Sequence, residues 1–280
     1  MDLMFDYVRK MLTRQAQTSI EKFIADIAVD KVQKFLIDNV YTTIPKILRI
    51  NEIPNIAPPY AKMWFEWSVP IDPAKGDPYR KLQNGVYVES TKMENGWDVI
   101  FLCFTCAGNK LIPLPISLKC IIPSDGHIPE HHMDSAYLVN GSSSYLLPKE
   151  QSGMDLFSDK MFIEYVIPIF FTLGLLHCKN IIEVEKGGKN PNVKNRRHRS
   201  KGTKHYVLNV IPSRNIKRTE YEQSAKGTQQ RLHFRRGHFK EYTTEKPLFG
   251  KYVGIFWWEA HAAGSVDVGE IKKDYRILPM

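Results

Sequence analysis

The segment Arg231-Leu-His-Phe-Arg-Arg-Gly-His-Phe-Lys240 concentrates the side chains best suited to phosphate chemistry. Strand alternation puts His233, Arg235 and Gly237 on one face and Phe234, Arg236, His238 and Lys240 on the other. A bulge at Gly237 would swap the faces beyond it and bring His233, Arg235 and His238 together. Two imidazoles beside a guanidinium suit metal-free cleavage of a phosphodiester. One imidazole takes the proton of the attacking hydroxyl and the other protonates the leaving oxygen. The guanidinium holds the charge that develops on phosphorus. Imidazole titrates near neutrality, so both protonation states are at hand. His261 is a third imidazole that such a site can recruit. Without the chemistry, Arg235 and Arg236 form a phosphate-binding site. In the blandest reading the histidines bond to backbone and the arginines pair with acids.

Charge points the same way. The 280-residue chain carries 39 Lys and Arg against 30 Asp and Glu. Between Lys186 and Lys240 sixteen of those bases face two acids, Glu220 and Glu222, and elsewhere acids outnumber bases by five. One basic stretch in a mildly acidic protein suits a polyanion partner. Its densest part holds Lys194, Arg196, Arg197, Arg199, Lys201 and Lys204, with Gly, Asn and Pro around them, and reads as a basic loop over about 186–204. Each phosphate such residues neutralise releases counterions. Lys240 adds a further cation. Trp257 and Trp258 must face opposite ways in a regular strand. One belongs to a core, and Trp258 is taken as a stacking surface for an unpaired base.

The elements that must position these residues follow from periodicity. Apolar residues recur at three- and four-residue steps from about Asp2 to Leu48, which predicts N-terminal helices. Val86–Ser90, Trp97–Cys106 and Leu111–Ile122 read as strands of an antiparallel meander with a turn at Glu94-Asn-Gly. Pro113 and Pro115 require an edge or a bulge in the third of these. Tyr165–Leu176 is apolar throughout and predicts a buried helix. At twelve residues it falls short of the roughly twenty that a membrane span needs. Strands follow at 181–185, 206–211, 232–242, 253–260 and 270–277. The order predicts an α+β fold: N-terminal helices plus a mixed, mainly antiparallel sheet with one long buried helix. The division expected is residues 1–58 as a helical region and 59–280 as the α+β domain.

Other chemistries find little. Four cysteines, Cys103, Cys106, Cys120 and Cys178, are too few for a disulfide scaffold. Cys103 and Cys106 have knuckle spacing without a second pair, and read as core residues of a strand. Asp125, His127, Glu130, His131, His132 and Asp134 read as a polar loop, so no metal and no cofactor is expected. Phosphate-loop, dinucleotide, nucleophile-elbow and zinc-helix signatures are missing. The first residues lack the basic start of a secretory leader, so a cytoplasmic protein is expected.

Taken in order, Leu176-His-Cys-Lys-Asn180, Arg196-Arg197, Tyr206-Val-Leu208 and His233-Phe-Arg-Arg-Gly-His-Phe239 form the start of a motif string. It continues with Pro247-Leu-Phe-Gly250, Trp257-Trp258, His261, Gly264 and Gly269 to Lys273-Asp-Tyr275. Over about residues 160–277 this string resembles a family of proteins encoded by phages and other bacterial mobile elements, whose activity is unassigned. The resemblance implies a setting, the cytoplasm of a bacterium carrying such an element, and no particular reaction. One function is expected of the chain, with two alternatives to it. It is nucleic-acid binding through the basic loop and the Arg/His strand. The first alternative is a metal-independent, toxin-like endoribonuclease. The second is an interaction factor that binds a host component, with the N-terminal helices as an oligomer interface.

Overall fold

In a computed structural model, the residues described are 32–45, 52–69, 82–107, 110–127, 135–140, 143–147, 162–188, 202–211, 231–263 and 265–270. They are mostly strand. A nine-stranded sheet has the order β7-β6-β5-β4-β3-β2-β1-β9-β8. Its strands are β1 (Gln33–Leu36), β2 (Lys62–Val69), β3 (Leu82–Met93), β4 (Gly96–Ala107) and β5 (Lys110–Pro123). The others are β6 (Ser135–Asn140), β7 (Ser143–Leu147), β8 (Ile181–Gly188) and β9 (Gly202–Val210). All pairings are antiparallel except those of β1, which runs parallel to both β2 and β9.

The expected α+β fold is corrected. Among the described residues the helices are α1 (Asp38–Tyr41), of four residues, and α2 (Ile167–Leu176), of ten, the latter preceded by a π-helical turn at Phe162–Val166. No long helix is present among them. Residues 33–36, at the end of the expected N-terminal helices, are a strand inside the sheet. Their apolar spacing suits a helix, but two parallel neighbours supply the backbone partners, and tertiary pairing overrides local propensity. Residues 37–45 hold only α1 and a turn, and residues 1–31 and 46–48, with what remains of the expected helices and the oligomer interface assigned to them, lie outside the described residues.

The meander strands β3, β4 and β5 fall where alternation and turn residues put them. Gly96 closes the β3–β4 turn at φ 142°, a region that suits glycine. The β4–β5 ladder shifts register between Leu102 and Phe104, opposite Ser117 and Pro113, so the prolines sit at the irregularity.

One face of the sheet carries Phe35, Met63, Phe65, Trp67, Val86, Val88, Phe101 and Cys103, all buried. Helix α2 lies on it. Phe170 meets Phe101 edge-on at 5.7 Å, and Tyr165 meets Trp67 at 6.1 Å. The opposite side of α2 is also covered, because Phe171 packs on Phe239 at 5.6 Å and Trp257 at 5.0 Å. The helix is a middle layer, which explains why it is apolar all round. No described helix is long and apolar enough to cross a membrane.

Burial also fixes the behaviour of the thiols. Cys103, Cys120 and Cys178 are free and buried, and desolvation pushes each up to about 12. The thiolate is the reactive form, so at pH 8 these groups are ionised to roughly one part in 10⁴. Titration of the native protein with Ellman's reagent should show at most one fast thiol of the four, and all four in denaturant. Two or more fast native thiols would contradict this packing.

Candidate nucleic-acid interface

The Arg/His segment divides into β10 (Arg231–Arg235) and β11 (His238–Tyr242), separated by Arg236-Gly237. Their partners are β13 (His261–Ala263) and β12 (Gly254–Trp258), separated by Glu259-Ala260. β10 also pairs with β14 (Ser265–Glu270). Across the interruption the register does not change: His233 pairs with Ala263, Arg235 with His261, and His238 with Trp258. The chain therefore forms one interrupted hairpin without an inserted residue. The alternative bulge at Gly237 is absent, and the strict alternation holds. His233 and Arg235 stand at positions of one parity, and His238 and Lys240 at the other.

Gly237 has a packing reason instead. A Cβ there would stand 2.7 Å from Cζ2 of Trp257, so only glycine leaves room for the indole. Trp257 is buried, touching Phe171 and lying 4.8 Å from Phe239. This face of β11–β12 docks on α2. The docking is fixed by Asn180, itself buried, in the turn between α2 and β8. Its Nδ2 donates to the Trp257 carbonyl at 2.7 Å and its Oδ1 accepts from the Trp257 N–H at 2.9 Å. The Lys179 N–H donates to the Ile255 carbonyl at 2.8 Å beside it.

The outer face of β11–β12 carries His238, Lys240, Tyr242, Gly254, Phe256 and Trp258. None is acidic. Lys240 Nζ lies 4.8 Å from the centre of the Tyr242 ring, and that ring meets Phe256 edge-on at 5.7 Å. Phe256 is buried beneath them, Lys240 is exposed, and His238, Tyr242 and Trp258 are half-buried. The two imidazoles are held by local backbone. His238 Nδ1 lies 3.0 Å from the Arg236 carbonyl, and His261 Nδ1 lies 2.8 Å from the Glu259 carbonyl. A carbonyl oxygen only accepts. Each Nδ1 therefore carries a proton and donates it, and Nε2 is the end of each ring turned away from that bond.

The other residues singled out from the sequence are scattered. Lys194, Arg196, Arg197, Arg199 and Lys201 lie outside the described residues. Lys204, on β9, bonds to Glu185 at 2.7 Å, and Arg236 pairs with Glu52. Arg235 is exposed opposite His261. His127 is exposed beside Asp125, whose carboxylate accepts its N–H at 3.0 Å, and the remainder of that polar loop lies outside the described residues. No group of three or more metal-ligating side chains occurs among the described residues.

Sequence reasoning missed Tyr242, Asn180 and Glu259. Tyr242 continues the alternation of His238 and Lys240, a signal that was there to use. Asn180 ends the first segment of the motif string, but neither it nor Glu259, single polar residues in turns, has a spacing that assigns it a role. Compared with known proteins, the chain matches no family model, no curated protein and no solved structure.

Proposed function

We propose that this protein binds single-stranded nucleic acid across the outer face of β11–β12. The observation that carries this is the composition of that face: the exposed Lys240 stands among the half-buried Tyr242 and Trp258 rings and the His238 imidazole, and no carboxylate interrupts them. Every base has a π-face, so Tyr242 and Trp258 suit stacking without regard to sequence, and Lys240 suits the phosphates. The basic stretch of the sequence, with Lys194, Arg196, Arg197, Arg199 and Lys201, supports the same reading by adding backbone contacts. The phage and mobile-element setting suggested by the motif string belongs to this proposal.

Fluorescence anisotropy with labelled single-stranded RNA, single-stranded DNA and duplex DNA over a salt series tests it. Single strands should bind more tightly than duplex, with a log–log salt slope of several units. Lys240→Ala should lower that slope by about one. Binding that is flat with salt, or a duplex preference, would overturn the proposal.

A second reading, metal-free cleavage of RNA, is favoured by one observation. His261 stands opposite Arg235 with its Nδ1 held by the Glu259 carbonyl, so that Nε2 is the nitrogen that can act as a base when the ring is neutral. That nitrogen would take the 2′-hydroxyl proton as the oxygen attacks phosphorus. Arg235 would hold the developing charge, and the departing 5′-oxygen would take its proton from water. Gels of the same samples show whether RNA is shortened, and His261→Ala should then abolish it.

A further inference from the structure

A cleft of about 310 Å³ opens between α1, the start of β8, the end of β9 and the β12–β13 connection. This falls within the roughly 300–1,000 Å³ of small-ligand pockets. Val40, Leu175, Ile181, Leu208 and Val210 make its apolar wall, and Asn39, Thr43, Asn209 and Glu259 its polar rim. Val40, Leu175 and Leu208 are buried core residues, so the wall is rigid. Asn39 Nδ2 donates to the Leu208 carbonyl at 2.6 Å, which leaves Oδ1 as the free end of that amide. The exposed Glu259 carboxylate has no hydrogen-bond or ion-pair partner among the described residues. Glu259 follows Trp258 directly. The unbroken register also puts Glu259 at the parity of His261 and Arg235, at the interruption of the ladder.

An apolar slot whose rim is rich in acceptors selects a flat apolar body with adjacent N–H donors. Among the bases, guanine alone offers two adjacent donors, N1–H and the N2 amino group, to one carboxylate. Uracil presents a single N–H between two carbonyls, which a carboxylate repels. Adenine and cytosine present one amino group beside a ring acceptor. We propose that this cleft binds a guanine base of the nucleic acid, with Glu259 reading its N1–H and N2 amino group and Arg235 and His261 holding the attached phosphate. The inference rests on the nucleic-acid reading above for its ligand class and sharpens that reading to a guanine-containing single strand.

Isothermal titration with the mononucleotides GMP, AMP, CMP and UMP tests the cleft directly, without the outer strip. GMP should bind about ten- to a hundredfold more tightly than the others, the discrimination expected of a bidentate base contact. Glu259→Gln replaces one acceptor by a donor on an exposed residue. It should erase the preference while leaving the melting temperature unchanged. Arg235→Ala should bring GMP down to the affinity of guanosine. Equal binding of the four nucleotides, or none, would overturn the inference. So would displacement by Nα-acetyl-arginine amide in a cleft that ignores GMP, which would assign it to a protein guanidinium. Salt-dependent binding of oligonucleotides without guanine preference would overturn the cleft and keep the strip. Selective GMP binding with no oligonucleotide affinity would keep the cleft and overturn the strip.

Discussion

Asn180→Ala should lower the free energy of unfolding by about 2–6 kcal/mol. Asn180 is 4% exposed, and its amide answers both backbone groups of Trp257. Truncation removes two hydrogen bonds and leaves a buried N–H and a buried C=O without partners, each costing about 1–3 kcal/mol. Water cannot easily compensate, because Asn180 and Trp257 are both buried. Asn180→Asp should be no better. Its carboxylate would still accept from the Trp257 N–H, but it would face the Trp257 carbonyl with a second acceptor and bury a charge. Urea denaturation gives the value, and an unchanged m shows that stability, and not the compactness of the denatured state, has changed. A loss below about 0.5 kcal/mol would mean that Asn180 does not hold the hairpin. Asn39→Ala is the contrast, since it gives up a single bond at an exposed residue and should cost about 1 kcal/mol or less.

The adjacent tryptophans should respond in opposite ways. Trp257→Ala should cost about 3–5 kcal/mol of stability, the range for a large aromatic removed from a core. The indole sits between Phe171 and Phe239 and fills the space over Gly237. No neighbouring side chain can collapse into that gap without moving the hairpin off α2. Trp258→Ala should cost much less stability, because this ring is half-buried on the outer face. It should weaken single-strand binding by about 1–3 kcal/mol, the contribution of one stacked base. Thermal melts and anisotropy on the two variants separate these effects. A Trp258→Ala protein that binds RNA and DNA as tightly as the parent would remove the stacking role. A Trp257→Ala protein that melts with the parent would show that the three-layer packing is wrong.

Alternation made part of this legible in the sequence. It located the β3–β5 meander and set the two tryptophans on opposite faces of one strand. It also left Gly237 with two outcomes, a bulge or a straight passage. The decision between them lies in Trp257, twenty residues later, whose ring needs the space that glycine leaves. Local pattern cannot carry that information. Residues 33–36 misled for a related reason. Val32, Phe35 and Leu36 are spaced for a helix, but the parallel partners that make Gln33–Leu36 a strand begin at Met63 and at Tyr206. Helix α2 was found by its apolar run, while its place as a middle layer depends on a hairpin near the end of the chain. Asn180 and Glu259 were illegible because one polar residue in a turn acquires meaning only from what folds beside it.

The parallel position of β1 also orders events in time. Phe35 pairs with Tyr206, 171 positions further along the chain. At roughly 5–20 residues per second, a ribosome needs about 10–35 s to deliver the second strand after the first. Over that interval β2 to β5 can zip up as a meander of neighbours, while β1 has one bare edge lined by Gln33, Lys34, Phe35 and Leu36. Closing the sheet is then a late, long-range step, the kind that sets slow rates in proteins of high contact order. Synthesis should therefore pass through a stage in which a nascent chain, complete to β5, requires shielding from its neighbours on the same message.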